Sequence, residues 1–218
     1  MPTSRIQRWF IDSLGSNAER TFSHHGYECP RMFRNRARDI WELFLDIYVS
    51  DFELRGRQIF KLAILTISDT GSKGEREDTS GDAISKIMAD AGGFEEVARE
   101  IVADETGLIA GRLTEWCDTG DIDLVVTTGG TGLGPRDVTP EATRQVIDLE
   151  VPGIAEAMRM ETLKITPFAM LSRSVVGVRN GCLIVNLPGS PKGVTETLEV
   201  ALRGISHALE MVKGWRTH

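Results

Sequence analysis

The sequence predicts an α/β protein in three layers, with a mostly parallel central sheet that is covered by helices on both faces. Two observations indicate this fold class. From Arg57 onward, short apolar runs of strand length alternate with segments of helical periodicity. Several of the apolar runs also lead directly into turns rich in glycine or proline. Strands that alternate with helices form a sheet covered on both faces, and ligands bind at the carboxyl ends of its strands.

The first half of this region has the clearest pattern. The apolar run 62–67 is a predicted buried strand, and a polar loop rich in glycine and charge follows it as far as Thr79. A helix is predicted near 80–91, where two glycines end it. The remaining elements of this half are a predicted strand at 94–102, a helix at 105–118 and a buried strand at 124–128.

The second half adds helices and a hairpin. Its predicted elements are, in order, helices at 140–149 and 152–163, strands at 174–178 and 183–187, and a helix at 191–213. The two strands flank Asn180-Gly181, a two-residue turn typical of β-hairpins. Pro191 fits the first turn of the last helix, where a missing N–H costs nothing.

Residues 1–56 differ in composition from the rest of the chain. They contain nine of the 14 aromatic residues and no lysine, since the first lysine is Lys61. Eight arginines balance eight acidic residues there, so the formal net charge of −7 belongs to the remainder. We therefore predict a helical or partly disordered extension over 1–56 and a domain over 57–218. Apolar spacing predicts an amphipathic helix at about 33–52, which would pack on the domain, dock a partner or form an oligomer contact.

Charge and cysteine usage narrow the class of protein. A net charge of −7 disfavours binding to nucleic acid or to anionic membrane surfaces. Cys29, Cys117 and Cys182 are odd in number and lack paired metal spacing, so we expect free thiols in a reducing compartment. No apolar run reaches the roughly 18–20 residues that span a bilayer, and the start lacks a signal-peptide pattern. We expect a cytoplasmic protein with neither nucleic acid nor membrane as a partner.

The most specific motif is the segment 127–140, TTGGTGLGPRDVTP, which begins inside a predicted buried strand. Glycines directly after a strand let the backbone turn tightly, so that its N–H groups can face a phosphate. The hydroxyls of Thr128 and Thr131 add further donors. The segment lacks the Gly-Lys-Ser/Thr ending of a Walker A loop and the spacing of a Rossmann fingerprint. A phosphate-binding turn is therefore predicted, the alternative being a turn that only connects two elements.

Two carboxylates are expected beside this turn. A carboxylate next to a phosphate repels it unless a cation lies between them, so Asp137 is a predicted Mg²⁺ ligand. Asp104 follows the second predicted strand and would reach the same edge of the sheet. The alternative for each aspartate is a helix cap. Ser68 and Asp69 form a similar polar pair at the end of the first strand.

A third cluster follows the last predicted strand. The segment 184–193, IVNLPGSPKG, delivers Asn186 to the sheet edge and then turns through Pro188-Gly189 into a helix N-terminus. Helix N-termini attract anions, and Lys192 adds a formal positive charge. Ser172 and Arg173, before the hairpin, would supply a hydroxyl and a cation for an anionic ligand. An ordinary strand-to-helix turn is the alternative.

Taken in order, these segments resemble the molybdopterin adenylyltransferase family of molybdenum cofactor biosynthesis, of the MogA/MoaB type. The resemblance covers residues 61–213 and leaves 1–56 unmatched. The segments that carry it are LTISD at 65–69, VVTTGGTG at 125–132, RDVTP at 136–140, LSR at 171–173 and NLPGSPK at 186–192. Several separated motifs in register are more specific than any one of them.

The resemblance implies an activity, its ligands and a set of site residues. Proteins of the family form homotrimers, bind molybdopterin and Mg²⁺-ATP, and release pyrophosphate as they form adenylyl-molybdopterin. By position, the catalytic and metal-binding aspartates would be Asp104 and Asp137. The expected substrate and nucleotide contacts are Ser68, Asp69, Thr128, Gly129, Gly130, Thr131, Gly132, Ser172, Arg173, Asn186, Pro188, Gly189 and Lys192.

The expected chemistry needs no nucleophile from the protein, since the molybdopterin phosphate itself attacks the α-phosphorus of ATP. The protein would align the two phosphates and offset their repulsion with a metal, Lys or Arg, and backbone N–H groups. A molybdate-inserting protein is an expected partner. Two alternatives stay open: a non-catalytic molybdopterin-binding or scaffolding module, and a related role in molybdate insertion.

Overall fold

The computed structural model describes residues 59–214. The extension predicted over 1–56, with its amphipathic helix at 33–52, lies outside the described residues. The strands are β1 (Phe60–Ile67), β2 (Phe94–Val102), β3 (Leu124–Thr128), β4 (Leu149–Glu150), β5 (Val176–Arg179) and β6 (Cys182–Leu187). The α-helices are α1 (Thr79–Ala91), α2 (Thr106–Asp118), α3 (Thr139–Val146), α4 (Pro152–Leu163) and α5 (Pro191–Val212).

The six strands form one sheet in the order β2-β1-β3-β6-β5-β4. The first four strands of this order run parallel to one another, whereas β5 is antiparallel to both of its neighbours. The chain places β2 on one side of β1 and β3 on the other, so the strand order reverses at β1. In open α/β sheets, ligands bind outside the carboxyl ends of the strands at such a reversal. The predicted mostly parallel sheet is confirmed.

Helices cover both faces of the sheet, and each face has its own apolar core. Leu62 and Ile64 of β1 pack on one face beneath α1, α4 and α5. Ala63 and Leu65 pack on the other face beneath α2 and α3. Successive strand residues point to opposite faces, so a strand buried on both sides must be apolar throughout. Burial on both faces therefore explains the continuous apolar run in β1. The predicted three-layer architecture is confirmed.

One predicted helix was too long. The helix predicted over 140–149 ends at Val146, because the chain turns into an extended conformation at Ile147. The N–H of Asp148 then donates to the carbonyl oxygen of Val178 at 2.8 Å, and Leu149–Glu150 pair with β5 as a short edge strand. Pairing with a strand nearly thirty residues later along the chain leaves no signal in local periodicity.

The other predicted helices and strands differ from the structure only at their ends. The predicted hairpin is confirmed, with Asn180 at φ 45° and Gly181 at φ 79° in its turn. Two short 3₁₀ helices, Gly71–Lys73 and Pro167–Leu171, were not predicted. Within residues 59–214, no helix has both the length and the apolar character that a membrane span requires. The loops that leave β1, β2, β3 and β6 meet at one edge of the sheet, which positions the site.

Candidate active site

The turn after β3 can be formed only with glycine. Gly129 has φ 102° and Gly130 has φ 63°, a backbone region that disfavours residues with a Cβ. A Cβ on Gly129 would also lie 2.3 Å from the carbonyl oxygen of Ile67, which is a severe clash. The turn therefore packs directly against the end of β1, with no side chain between them.

The backbone of this turn presents a row of N–H groups without acceptors. The carbonyl oxygens of residues 129–132 all accept hydrogen bonds: Thr139 donates to the first two and Arg173 to the last two. In a trans peptide the N–H points opposite to the C=O, so the N–H groups of residues 130–133 point away from these donors. Those four N–H groups have no acceptor within the described part of the chain. Such a row of free N–H groups forms an anion-binding concavity.

Two cavities meet at this turn. The larger has a volume of about 520 Å³, and the smaller about 190 Å³; Gly130 and Gly189 line both. The larger cavity is mainly apolar away from the turn, where Met158, Phe168 and Leu171 contribute to its wall. The smaller cavity is polar, with carboxylate, hydroxyl and guanidinium groups around it. An anion bound at the turn would therefore lie between a wide apolar compartment and a narrow polar one.

Asp69 and Asp104 hold each other at the ends of β1 and β2. The Asp69 N–H donates to Asp104 Oδ2 at 2.8 Å, and the Asp104 N–H donates to Asp69 Oδ1 at 3.1 Å. The second oxygen of Asp104, Oδ1, has no hydrogen-bond donor among residues 59–214. A Cβ on Gly130 would lie 3.3 Å from this Oδ1, so the free oxygen faces the glycine turn.

Arg136 belongs to the same cluster and binds only one of the two aspartates, whose pKa values are shifted in opposite directions. Its Nε and guanidinium NH₂ group donate to both oxygens of Asp69, at 3.0 and 2.7 Å. These hydrogen bonds lower the pKa of Asp69 below its ordinary value. Burial raises the pKa of Asp104, and the nearby charges of Asp69 and Asp137 raise it further. The protein by itself therefore stabilises the charged form of Asp104 less than water does.

Asp137 lies over the glycine loop. Its Oδ2 accepts a hydrogen bond from the Gly134 N–H at 2.6 Å, and a Cβ on Gly132 would lie 2.9 Å from the same oxygen. Asp137 also lines the larger cavity. The helix-cap alternatives for the two aspartates were wrong, because the N-cap positions of α2 and α3 are Glu105 and Val138, without side-chain caps.

The two aspartates fit a magnesium ion bound together with a phosphate. The part of the chain covered by the structure has no cluster of three or more acidic, histidine or cysteine residues suited to a metal. Mg²⁺ is usually held by one or two carboxylates together with substrate phosphates and water, so it does not need such a cluster. Asp104 offers an unpaired oxygen toward the turn, and a cation there would offset the cost of its buried charge.

Arg173 contacts the glycine loop rather than the cavity. Its Nε donates to the Gly132 carbonyl oxygen at 2.7 Å, and its other guanidinium nitrogens donate to the Asp137 carbonyl oxygen and to Glu141. Ser172 and Ser174 line the larger cavity, but Arg173 between them does not. The cationic side chains that do line this cavity are Arg159 and Lys192.

Asn186 lies inside the protein. Its side-chain nitrogen donates to Thr127 Oγ1 and Thr143 Oγ1, both at 3.0 Å, and its oxygen accepts from the Val175 N–H at 3.3 Å. The residue is completely buried and lines neither cavity. The structure thus places it beneath the predicted site, where it ties β6 to β3 and α3.

The turn after β6 reaches the cavities as predicted. Gly189 is pressed against the first turn, and a Cβ on it would lie 3.2 Å from the Gly129 Cα. Thr128 Oγ1 donates to the Pro188 carbonyl oxygen at 2.7 Å, which joins the two turns. Lys192 follows at the start of α5 with its side chain 82% exposed and 3.7 Å from Glu196, so its ammonium group has access to a ligand.

Most of the residues that were predicted to contact the substrates lie together at this edge of the sheet. Ser68, Thr128 and Gly129 line the smaller cavity. Thr131, Gly132 and Pro188 line the larger one. Asp69 lines neither cavity and acts on the site through Asp104 and Arg136.

Sequence reasoning missed one wall of the smaller cavity. That wall is built by Thr66, Arg76, Glu77, Asp78, Thr79 and Ser80. Asp78 is the N-cap of α1 and accepts from Thr66 Oγ1 at 2.9 Å, while Ser80 Oγ donates to the Gly189 carbonyl oxygen at 2.8 Å. Asp78-Thr79-Ser80 before an apolar periodic segment is a helix-start signal. That signal predicts the helix cap. It does not predict the contact between α1 and the turn after β6, because this contact depends on the tertiary structure.

The fold and the site together define an α/β protein whose sheet carries, at its carboxyl edge, a glycine turn with unpaired N–H groups and two flanking carboxylates. Residues 63–207 match the family described as "Probable molybdopterin binding domain". A Helicobacter pylori (strain J99) protein named molybdopterin adenylyltransferase is 46% identical over 158 residues, which cover 72% of this chain and 90% of that protein. The Escherichia coli K12 protein of the same name is 41% identical over 140 residues, which cover 64% of this chain and 72% of that protein.

A solved structure agrees with these matches. The molybdopterin biosynthesis enzyme MoaB from Thermus thermophilus superimposes with a TM-score of 0.68 at 52% sequence identity, covering 72% of this chain and 100% of that chain. The chain therefore belongs to the molybdopterin-binding domain family of molybdenum cofactor biosynthesis proteins. The family resemblance inferred from separated sequence motifs is confirmed.

Proposed function

We propose that this protein is a molybdopterin adenylyltransferase, which transfers AMP from ATP to the phosphate of molybdopterin. The products are adenylyl-molybdopterin and pyrophosphate. The names of the relatives from Helicobacter pylori and Escherichia coli support this activity. The observation that carries the proposal is the row of unpaired N–H groups at residues 130–133, placed where two cavities meet and flanked by two aspartates.

Each part of this geometry suits one part of the two substrates. The larger, mainly apolar cavity has room for a ring system, and the unpaired N–H groups suit the phosphates that must approach each other. Lys192 and Arg159 in the larger cavity and Arg76 in the smaller one add positive charge near the turn. Cations and oriented N–H groups offset the repulsion between two anionic reactants.

The reaction exchanges one phosphorus–oxygen bond for another. An oxygen of the molybdopterin phosphate attacks the α-phosphorus of ATP and forms the new bond. The bond between the α-phosphorus and the bridging oxygen of the β-phosphate breaks, and that oxygen leaves on pyrophosphate. No proton has to be removed from the attacking group, so the protein acts by alignment and charge stabilisation.

The proposal includes Mg²⁺, which Asp104 and Asp137 would hold together with phosphate oxygens. When bound, Mg²⁺ neutralises charge on the phosphates and orients them. Asp104 contributes the unpaired Oδ1 that faces the turn, and Asp69 holds its other oxygen in place. Asp137 is held over the loop by the Gly134 N–H.

The test is direct assay of the full chain with molybdopterin, ATP and Mg²⁺. We expect pyrophosphate and adenylyl-molybdopterin in equal amounts, no product with EDTA, and recovery when Mg²⁺ is restored. Asp104→Asn and Asp137→Asn should each lower kcat by at least about 100-fold, since outer-shell partners alone contribute about 10- to 100-fold. Asp121→Asn, in a surface ion pair with Lys61, is the matched control and should keep full activity.

Two results would contradict the proposal. If the wild-type chain bound molybdopterin without forming product, it would be a binding or scaffolding module. If Asp104→Asn and Asp137→Asn both kept full activity, the metal assignment would be wrong while the transferase activity stood. Binding of molybdopterin by fluorescence titration separates these cases from a misfolded preparation.

The proposal extends to assembly and location. We propose a homotrimer, since α4, the following 3₁₀ helix and the link between them expose apolar side chains suited to a subunit contact. The most exposed of these are Met160, Ile165, Phe168 and Met170. Sedimentation analysis should give three chains per particle. A cytoplasmic location agrees with the free thiols of Cys117 and Cys182, and a molybdate-inserting protein is the expected consumer of the product.

A further inference from the structure

Arg173 makes four contacts with other parts of the protein. Its backbone N–H donates to the Thr131 carbonyl oxygen at 3.0 Å, and its Nε donates to the Gly132 carbonyl oxygen at 2.7 Å. The remaining guanidinium nitrogens contact the Asp137 carbonyl oxygen and the carboxylate of Glu141. Its charge is therefore paired with Glu141, two of its guanidinium donors hold backbone oxygens, and the residue lines neither cavity.

These contacts determine which way two peptide groups of the glycine turn face. The N–H groups of Gly132 and Leu133 belong to the peptide groups whose carbonyl oxygens Arg173 holds. Since C=O and N–H point in opposite directions across a trans peptide, those N–H groups point away from Arg173. Thr139 holds the two preceding carbonyl oxygens in the same manner. The contact to the Thr131 carbonyl oxygen comes from the backbone, so loss of the Arg173 side chain would release the peptide group that carries the Leu133 N–H.

Arg173 also links this turn to the wall of the larger cavity. Ser172 and Ser174, its neighbours in the chain, both line that cavity. The Asp137 backbone, which Arg173 also holds, carries one of the two proposed metal-binding carboxylates. One side chain thus sets the relative position of the cavity wall, the anion-binding turn and Asp137.

We propose that Arg173 is a positioning residue, which orients the N–H groups of the glycine turn and Asp137 without contacting substrate. This inference rests on the proposed adenylyltransferase activity, and it differs from the sequence-based expectation that Arg173 binds the substrate. Three of the five N–H donors of the Arg173 guanidinium bond to Glu141 and to two backbone oxygens, and the residue lines neither cavity, so it is placed to hold the loop rather than a phosphate. Its contribution to the reaction is alignment of groups that stabilise the transition state.

The test compares Arg173→Gln and Arg173→Lys with a matched control. Arg179→Gln is the control, because Arg179 also binds a carboxylate, Asp118, and a backbone oxygen, that of Val146, at the opposite edge of the sheet. We expect Arg173→Gln to lower kcat by about 10- to 100-fold, with much smaller changes in KM for ATP and molybdopterin. Arg173→Lys should recover only part of kcat, since an ammonium lacks the planar fork. Arg179→Gln should keep both parameters.

Glu141→Gln separates positioning from direct binding. If Arg173 positions the turn, Glu141→Gln leaves the carbonyl contacts in place, and the double variant should be no worse than Arg173→Gln alone. If Arg173 bound a substrate phosphate, Glu141→Gln would free its charge and lower KM. That result, or a raised KM with unchanged kcat in Arg173→Gln, would overturn the inference.

Hydrogen exchange provides a readout that does not depend on activity. The amides of Gly134, Asp137 and Thr139 are hydrogen-bonded within the loop. They should exchange faster in Arg173→Gln than in the wild type or in Arg179→Gln. Unchanged exchange would refute the positioning role even in an active enzyme. Faster exchange in Arg173→Gln, together with a wild type that lacked adenylyl transfer, would refute the proposed function but not the role of Arg173 in the turn.

Discussion

Asp69 and Asp104 each accept a hydrogen bond from the other's backbone N–H, so the loops after β1 and β2 hold their carboxylates as one unit. The pair leaves Asp104 Oδ1 unpaired toward the glycine turn while Arg136 binds Asp69 from the other side. The loops that hold Asp69 and Asp104 and the glycine turn are far apart in the sequence, yet all three lie close to this oxygen atom.

Asp69→Asn should reduce activity although Asp69 lines neither cavity. An amide cannot accept both hydrogen bonds from Arg136, so the Arg136 contact weakens and the loop whose backbone N–H holds Asp104 is less firmly fixed. We expect kcat to fall about 10- to 100-fold, as for other outer-shell partners. Steady-state kinetics with Asp121→Asn as the control would measure this. Activity equal to that of the control would show that the Arg136 contact with Asp69 does not support the site.

Gly129→Ala should destabilise the protein more than the same change at Gly181. Both residues have positive φ, but a Cβ on Gly129 would meet the Ile67 carbonyl oxygen at 2.3 Å, whereas one on Gly181 meets nothing within 4 Å. Backbone strain alone costs about 1–3 kcal/mol. We expect Gly181→Ala within that range and Gly129→Ala above it. Urea unfolding of both variants would decide, and equal losses would contradict the predicted clash.

The ion pair between Glu96 and Arg99 should contribute stability that acid removes. Hydrogen bonds from Arg99 lower the pKa of Glu96 below its ordinary value of 4.5. A carboxylate with a lowered folded pKa adds stability above pH 4.5 and loses it as pH falls through the folded pKa. Because the pair is partly exposed, we expect about 0.2–1 kcal/mol at neutral pH.

The measurement is the unfolding free energy of wild type and Glu96→Gln between neutral pH and about pH 3. The difference between them should shrink across that interval. A difference that stayed constant would show that the Glu96 charge contributes nothing to stability.

Residues 57–218 should fold and act without the N-terminal extension. Within residues 59–214, the two apolar cores and the six strands lie between Phe60 and Leu209. The described residues alone build the two site cavities around the glycine turn. We therefore expect a shortened protein over 57–218 to unfold cooperatively and to keep the full chain's kcat. Calorimetry and the adenylyl-transfer assay would test this, and loss of folding would show that 1–56 belongs to the core.

Local sequence patterns were sufficient to predict those elements whose conformation depends only on a few neighbouring residues. The apolar run in β1, the Asn180-Gly181 turn and the proline at the start of α5 each encode their structure within a few residues. The glycine-rich turn was predicted for the same reason, because Gly129 needs a φ that other residues avoid. The end of α3 was not predicted, since Asp148 and Leu149 pair with β5, which lies far along the chain.

The sequence by itself thus determined the α/β fold class, the glycine-rich turn, the two aspartates beside it and the family. Tertiary structure alone decided the roles of individual polar residues. It buried Asn186 between β3 and α3, turned Arg173 onto backbone oxygens, and made Asp69 a support for Asp104. The physical reason is that periodicity and turn chemistry act over a few residues, whereas a side chain's hydrogen-bond partners depend on which distant segments the sheet brings within reach.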